Sequence, residues 1–129
     1  MQATAVAATL SGAPSTFHAL WRHRDLRAVL VSVGEATRAV GTLLPPRRRG
    51  LIRGTIAHIG ISAICGQALA RTLPEHNSVG WGAVAGLATG VINVGVIGRR
   101  FPEIRALPFL PQLADNVAFG AVFALVVDR

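Results

Sequence analysis

Four long apolar stretches, with gaps between them that hold nearly all of the arginine, constrain this chain more than any other feature. Residues 1–21 carry no Asp, Glu, Lys or Arg, residues 51–73 carry arginine only near their ends, residues 77–98 carry no charge, and residues 106–127 carry one, Asp115. A spanning helix needs roughly 20 residues, at 1.5 Å rise per residue across about 30 Å of hydrocarbon, so each stretch is long enough. The chain is 51% hydrophobic with a mean hydropathy of +0.49. A chain of 129 residues cannot bury that much apolar surface in one small aqueous core. The expected fold is all-α: a single membrane domain formed by a four-transmembrane-helix bundle, its spans at 1–21, 51–73, 77–98 and 106–127.

The charges give that bundle an orientation. All thirteen basic residues are arginine. Eleven (Arg22, Arg24, Arg27, Arg38, Arg47, Arg48, Arg49, Arg53, Arg99, Arg100 and Arg105) fall in or beside the first and third connections, against Arg71 and Arg129 on the other side. Cytoplasmic loops carry the excess of Arg and Lys, which puts both termini outside. A fifth span through residues 29–44 would bury Glu35 and Arg38 at about 2.5–3.5 kcal/mol each and spoil the asymmetry. A signal peptide would want basic residues ahead of its apolar run, and the first ten residues have none. The net charge of +7 is better placed against lipid than against nucleic acid, because it flanks apolar spans. Cys65 is the single cysteine, so no intrachain disulfide forms.

At 100° per residue the polar and small side chains of each span fall on one face, as helices packed around a shared interior require. These are Thr4, Ser11, Ser15 and His18; Thr55, His58, Ser62 and Cys65; Gly82, Gly86, Gly90 and Asn93; and Gln112, Asp115, Asn116, Phe119 and Phe123. Gln67 is the exception. The run Gly82, Gly86, Gly90 lets another backbone approach closely, either within the chain or from a second copy. Pro14 should kink the first span, with Ser11, Ser15 and Thr16 re-satisfying the freed carbonyls. Ser78 is the expected N-cap of the third span, and Pro111 suits the first turn of the fourth.

Between the first two spans, Leu26, Val29, Leu30, Val33, Thr37, Val40 and Leu44 recur at helical spacing. They predict an amphipathic interfacial helix over 26–44, started by Asp25 and stopped by Pro45 and Pro46; a plain solvated loop is the alternative. Arg47, Arg48 and Arg49, with Arg99 and Arg100, would lie against anionic lipid headgroups.

Ser15, His58, Asn93, Asp115 and Asn116 all fall within about five to seven residues of the cytoplasmic ends of their spans, roughly 8–10 Å at helical rise. They form a candidate intramembrane polar cluster, in which Asp115 is the ionisable member and His58 its expected partner. Such a cluster can relay a proton or hold a polar ligand. It can equally be structural, with Asp115 near a helix N-terminus and the asparagines bonding helices together. No close-spaced pair of metal ligands exists, Cys65 has no basic neighbour, and there is no phosphate loop or dinucleotide fingerprint. No metal, cofactor or catalytic residue is expected.

The stretch from Gly98 through Arg99, Arg100, Phe101, Pro102, Glu103, Ile104 and Arg105 to Pro108, continuing over Pro111, Gln112 and residues 114–120, resembles a group of small four-helix membrane proteins of actinobacterial type. More distantly it resembles the YagU-like inner-membrane proteins. The resemblance also takes in residues 12–16 and His58. It implies the four-helix architecture and the bacterial cytoplasmic membrane, and it transfers no catalytic residue. The functions to weigh are therefore a non-enzymatic accessory subunit or homo-oligomer in a larger membrane complex, and a small transporter or proton-linked ligand-binding protein. An intramembrane enzyme or cofactor carrier ranks last.

Overall fold

A computed structural model describes residues 1–127. Among them the structure is all-helical: α1 (Gln2–Leu10), α2 (Ala13–His23), α3 (Leu26–Val40), α4 (Leu51–Thr72), α5 (Ser78–Ile92), α6 (Gly98–Arg100), α7 (Pro102–Arg105) and α8 (Phe109–Val127). A π-helical segment, Asn93–Ile97, joins α5 to α6, so that Ser78–Arg100 is one continuous rod of 23 residues. This rod and the 19-residue α8 are the two helices long and apolar enough to cross a membrane. At helical rise they measure about 34 and 28 Å. The 22-residue α4 is as long, but Arg53, His58, Gln67 and Arg71 interrupt its apolar sequence.

The first apolar stretch is not one helix. It is divided between α1 and α2, and the division falls at Ser11 and Gly12, one turn ahead of Pro14. Pro14 has no N–H for the Leu10 carbonyl and its ring crowds the turn before it. Ser11 and Gly12 keep right-handed helical angles, so the break loosens the helix without reversing the chain. Hydroxyls add bonds on either side of the break and not at the Leu10 carbonyl: Ser11 Oγ donates to Ala8 O at 3.2 Å, and Ser15 Oγ and Thr16 Oγ1 donate to Gly12 O at 3.1 and 2.7 Å.

Arg24 ends α2 in the left-handed region at φ 50°, a conformation that costs a non-glycine residue about 1–2 kcal/mol. Asp25 then starts α3, its Oδ1 accepting the Arg27 N–H at 3.0 Å. The helix gives way at Gly41–Leu43 to a 3₁₀ turn, ahead of the two prolines. Its apolar residues differ in burial. Val29 and Ala39 are buried against the neighbouring helices, whereas Leu26, Leu30 and Val33 face outward. At the start of α5, Asn77 with φ 55° occupies the N-cap position, and Ser78 is the first helical residue; the chain arrives from the 73–77 turn in a left-handed conformation that Asn tolerates and Ser does not.

Small residues set the helix spacing. α5 and α8 run antiparallel, with Gly82 and Gly120 face to face, so that a Cβ on either would strike the carbonyl oxygen of the other. Gly86 lies against the Asn116 carbonyl and Gly90 against Leu113. The glycine seam is thus closed within the chain by α8, which leaves it no free surface for a second copy. Across α8 from α5, α1 buries Ala3 and Ala7 with Phe123 and Leu69, and Thr4 sits over Gly66. Gly54 of α4 packs directly on the Thr37 carbonyl of α3. α8 therefore lies innermost, touching α1, α2, α4 and α5.

The core this makes is thin. Large apolar side chains cover the outside of α2, α4, α5 and α8 instead, among them Ile52 at 78% exposure and Leu110 at 71%. At the opposite end from Phe123, the two arginine-rich connections meet: the Arg47 guanidinium stacks 4.6 Å above the Phe101 ring.

Candidate functional site

The polar level forms where the broken first stretch meets α8. Pro111 lies in the first turn of α8, and Asp115 follows one turn later. Because Gly12 precedes α2 with no side chain to cap it, the N-terminal amides of α2 need an acceptor from elsewhere. Asp115 supplies it, its Oδ1 accepting the Ser15 N–H at 2.9 Å. A carboxylate at this place also answers the positive end of the α2 dipole.

Asn116, the next residue, faces the other neighbour. Its Oδ1 accepts from Asn93 Nδ2 at 3.3 Å and its Nδ2 donates to the Gln112 carbonyl at 2.8 Å. Gln112 Nε2 in turn donates to Ile104 O at 3.4 Å, which ties α8 to the short helix α7. Asn93 opens the π-helical segment, where one extra residue per turn locally widens the helix. Consecutive residues of α8 thus hold α2 on one side and the α5 rod on the other.

His58 stands apart from these bonds. Its Nε2 lies 3.4 Å from Ala8 O; a carbonyl only accepts, so the imidazole donates there. The expected hydrogen bond between His58 and Asp115 is not formed, since the nearest donor to the carboxylate is the Ser15 amide, although His58 remains within electrostatic reach of Asp115. On α4 it lies between Gly54, Ala57 and Ser62, all buried, and yet is itself exposed. Thr55 is exposed too, so the polar face expected for α4 is only partly turned inward. Cys65 is half-buried. No group of three or more His, Cys, Asp or Glu side chains with metal-ligating placement occurs among the described residues.

The arginine-rich end holds two features that charge patterning alone did not single out. Glu35 bonds both Arg38 Nη1 at 2.6 Å and Arg49 Nη2 at 2.5 Å, and the Arg38 hydrogen bond, followed by the charges of Arg49 and Arg38, holds its carboxyl below the usual range against opposing desolvation. Arg53 Nη2 donates to Leu44 O at 2.6 Å and Pro46 O at 2.7 Å, clamping the turn into α4. All five arginines expected against lipid are exposed, and of these Arg47 and Arg49 also make contacts within the chain. Glu35 and Arg38 are one helical turn apart, whereas Arg49 reaches Glu35 from the far side of the turn between α3 and α4.

No protein-family model, curated protein or solved structure matches this chain.

Proposed function

We propose that this chain is a small multi-pass protein of the bacterial cytoplasmic membrane with a non-enzymatic role, as an accessory subunit or a self-associating component of a larger membrane complex. Four segments cross: α1 with α2, α4, the α5 rod, and α8, with α3 in the cytoplasmic interface. The arginine-rich connections face the cytoplasm, and Met1, the 73–77 turn and the end of α8 face outward.

One observation carries this reading: the outside of the bundle is apolar and exposed, whereas the polar side chains of α8 bond inward to α2 and α5. Fully burying a Leu, Ile, Val or Phe side chain is worth about 1.5–3 kcal/mol, so a surface of this kind calls for lipid or protein around it. A structural role suits the polar level, because Asp115, Asn116 and Asn93 direct their hydrogen bonds to backbone groups and to one another.

Topology is tested by labelling with a membrane-impermeant maleimide in a Cys65→Ala background. His76→Cys should label in intact cells and Arg48→Cys only after lysis; the reverse pattern overturns the orientation. Purification from native membranes should then give a stoichiometric partner or more than one copy, and an isolated monomer would sink the accessory reading.

A second reading rests on His58, an exposed imidazole on α4 whose charge bears on Asp115. There the site moves a proton or holds a polar ligand. Asp115→Asn should abolish a pH-dependent flux in proteoliposomes while the protein stays folded, and an unaltered flux removes that role.

A further inference from the structure

The sharp turn between α2 and α3 presents an excess of positive charge beside apolar anchors. Arg22 and Arg24 are exposed and form no ion pair or hydrogen bond through their side chains among the described residues. With His18 and Trp21 they line one shallow recess on the outside of the turn. Trp21 is 74% exposed and Phe17, one turn earlier, 73%. The contrast with the arginine run after Pro46 is physical. There Arg49 shares the Glu35 carboxylate with Arg38, and Arg47 stacks on the Phe101 ring. Asp25, in the same turn, keeps its negative charge while accepting the Arg27 N–H, but Arg22, Arg24 and Arg27 outnumber it.

We propose that this recess is a binding site for the phosphate of an anionic phospholipid, with Arg22 and Arg24 as its cationic contacts and His18 as a further donor. Trp21 and Phe17 take the start of the acyl chains. The chemistry fits each part. Guanidinium groups bind phosphate oxygens through charge-assisted, often bidentate hydrogen bonds, and an indole prefers the boundary between headgroup and hydrocarbon. The inference rests on the membrane reading above and adds a specific lipid contact to it, at a place other than the triple-arginine run.

Bromolipid quenching tests it, because Trp21 and Trp81 are the only two tryptophans. In a Trp81→Phe protein reconstituted into nanodiscs of phosphatidylcholine, acyl-brominated phosphatidylglycerol should quench Trp21 at lower mole fraction than acyl-brominated phosphatidylcholine. Each basic residue near an anionic surface contributes about a fivefold preference, the equivalent of roughly 1 kcal/mol. Arg22→Gln with Arg24→Gln should remove the preference, whereas Arg99→Gln with Arg100→Gln should keep it. Equal quenching by the two lipids, or a preference unchanged in the Arg22 and Arg24 variant, overturns the site while leaving membrane insertion intact. Quenching by neither lipid overturns the membrane reading itself. Loss of the preference on adding inorganic phosphate, at constant ionic strength, would show a free-anion site and overturn the lipid assignment.

Discussion

Asp115 and Ser15 are joined at 2.9 Å, the carboxylate of α8 taking the backbone N–H of α2 across one hundred residues of sequence. The pair substitutes for the local N-cap that Gly12 cannot provide. It also explains how a helix interrupted by Pro14 keeps its second half in place.

Removing that acceptor should be costly in proportion to what replaces it. Asp115→Leu leaves the Ser15 amide without a partner and should lower stability by about 1–3 kcal/mol, while Asp115→Asn, which keeps an acceptor, should lose less. Ser15→Ala retains the amide and should lose no more than about 1 kcal/mol. Thermal unfolding in detergent should rank the three midpoints in that order, and equal midpoints for the Asn and Leu variants would contradict a capping role.

The α5 and α8 backbones are in contact where Gly86 meets the Asn116 carbonyl. Gly86→Ala forces a Cβ onto backbone that cannot turn aside, so the hairpin must separate, at about 1–3 kcal/mol. Gly60→Ala meets nothing within 4 Å and should be neutral or raise stability by up to about 1 kcal/mol through helix propensity. Similar midpoints for the two variants would argue against the close seam.

Glu35 gathers Arg38 and Arg49, and its carboxyl is held low first by the Arg38 hydrogen bond. A carboxyl depressed in the folded state contributes fully above its unfolded pKa and loses that contribution as pH falls through the lower, folded value. A spin label on Arg48→Cys should therefore gain mobility on acidification through and below the ordinary glutamate range. Glu35→Gln should show that mobility already at neutral pH, with no further change in acid.

Arg53 bonds two carbonyls of the turn that carries Arg47 to Arg49. Hydrogen bonds to charged groups are worth about 1.5–3 kcal/mol, so Arg53→Met should speed tryptic cleavage of that turn by roughly 10- to 100-fold. Arg53→Lys, with one donor nitrogen, should fall between. Cleavage no faster than in the unaltered protein would show that the turn is held elsewhere.

Part of this organisation is legible from local pattern alone. Asp25 before an apolar-periodic run marks the start of α3, and the apolar stretches containing Gly82 to Gly90 and Phe119 to Phe123 mark the two long apolar helices. Ser11 and Ser62 are buried as helical spacing suggests. Other features are not local. Asn77 takes the cap because of the turn before it, Thr55 and His58 are exposed although helical spacing groups them with the buried Ser62, and Ser15 meets Asp115 through its amide, a group that side-chain patterns never register.

What the sequence by itself determined is the helical class, the position of the apolar segments and the grouping of arginine at two connections, since hydropathy, charge and turn residues act over a few neighbours. Only the tertiary structure decided that the glycine seam belongs to α8, that Arg49 is held by Glu35 while Arg22 and Arg24 are free, and that Asp115 caps a helix instead of pairing with His58. Those outcomes depend on which backbones come within a hydrogen bond of each other, and that distance is set by the packing of every helix at once.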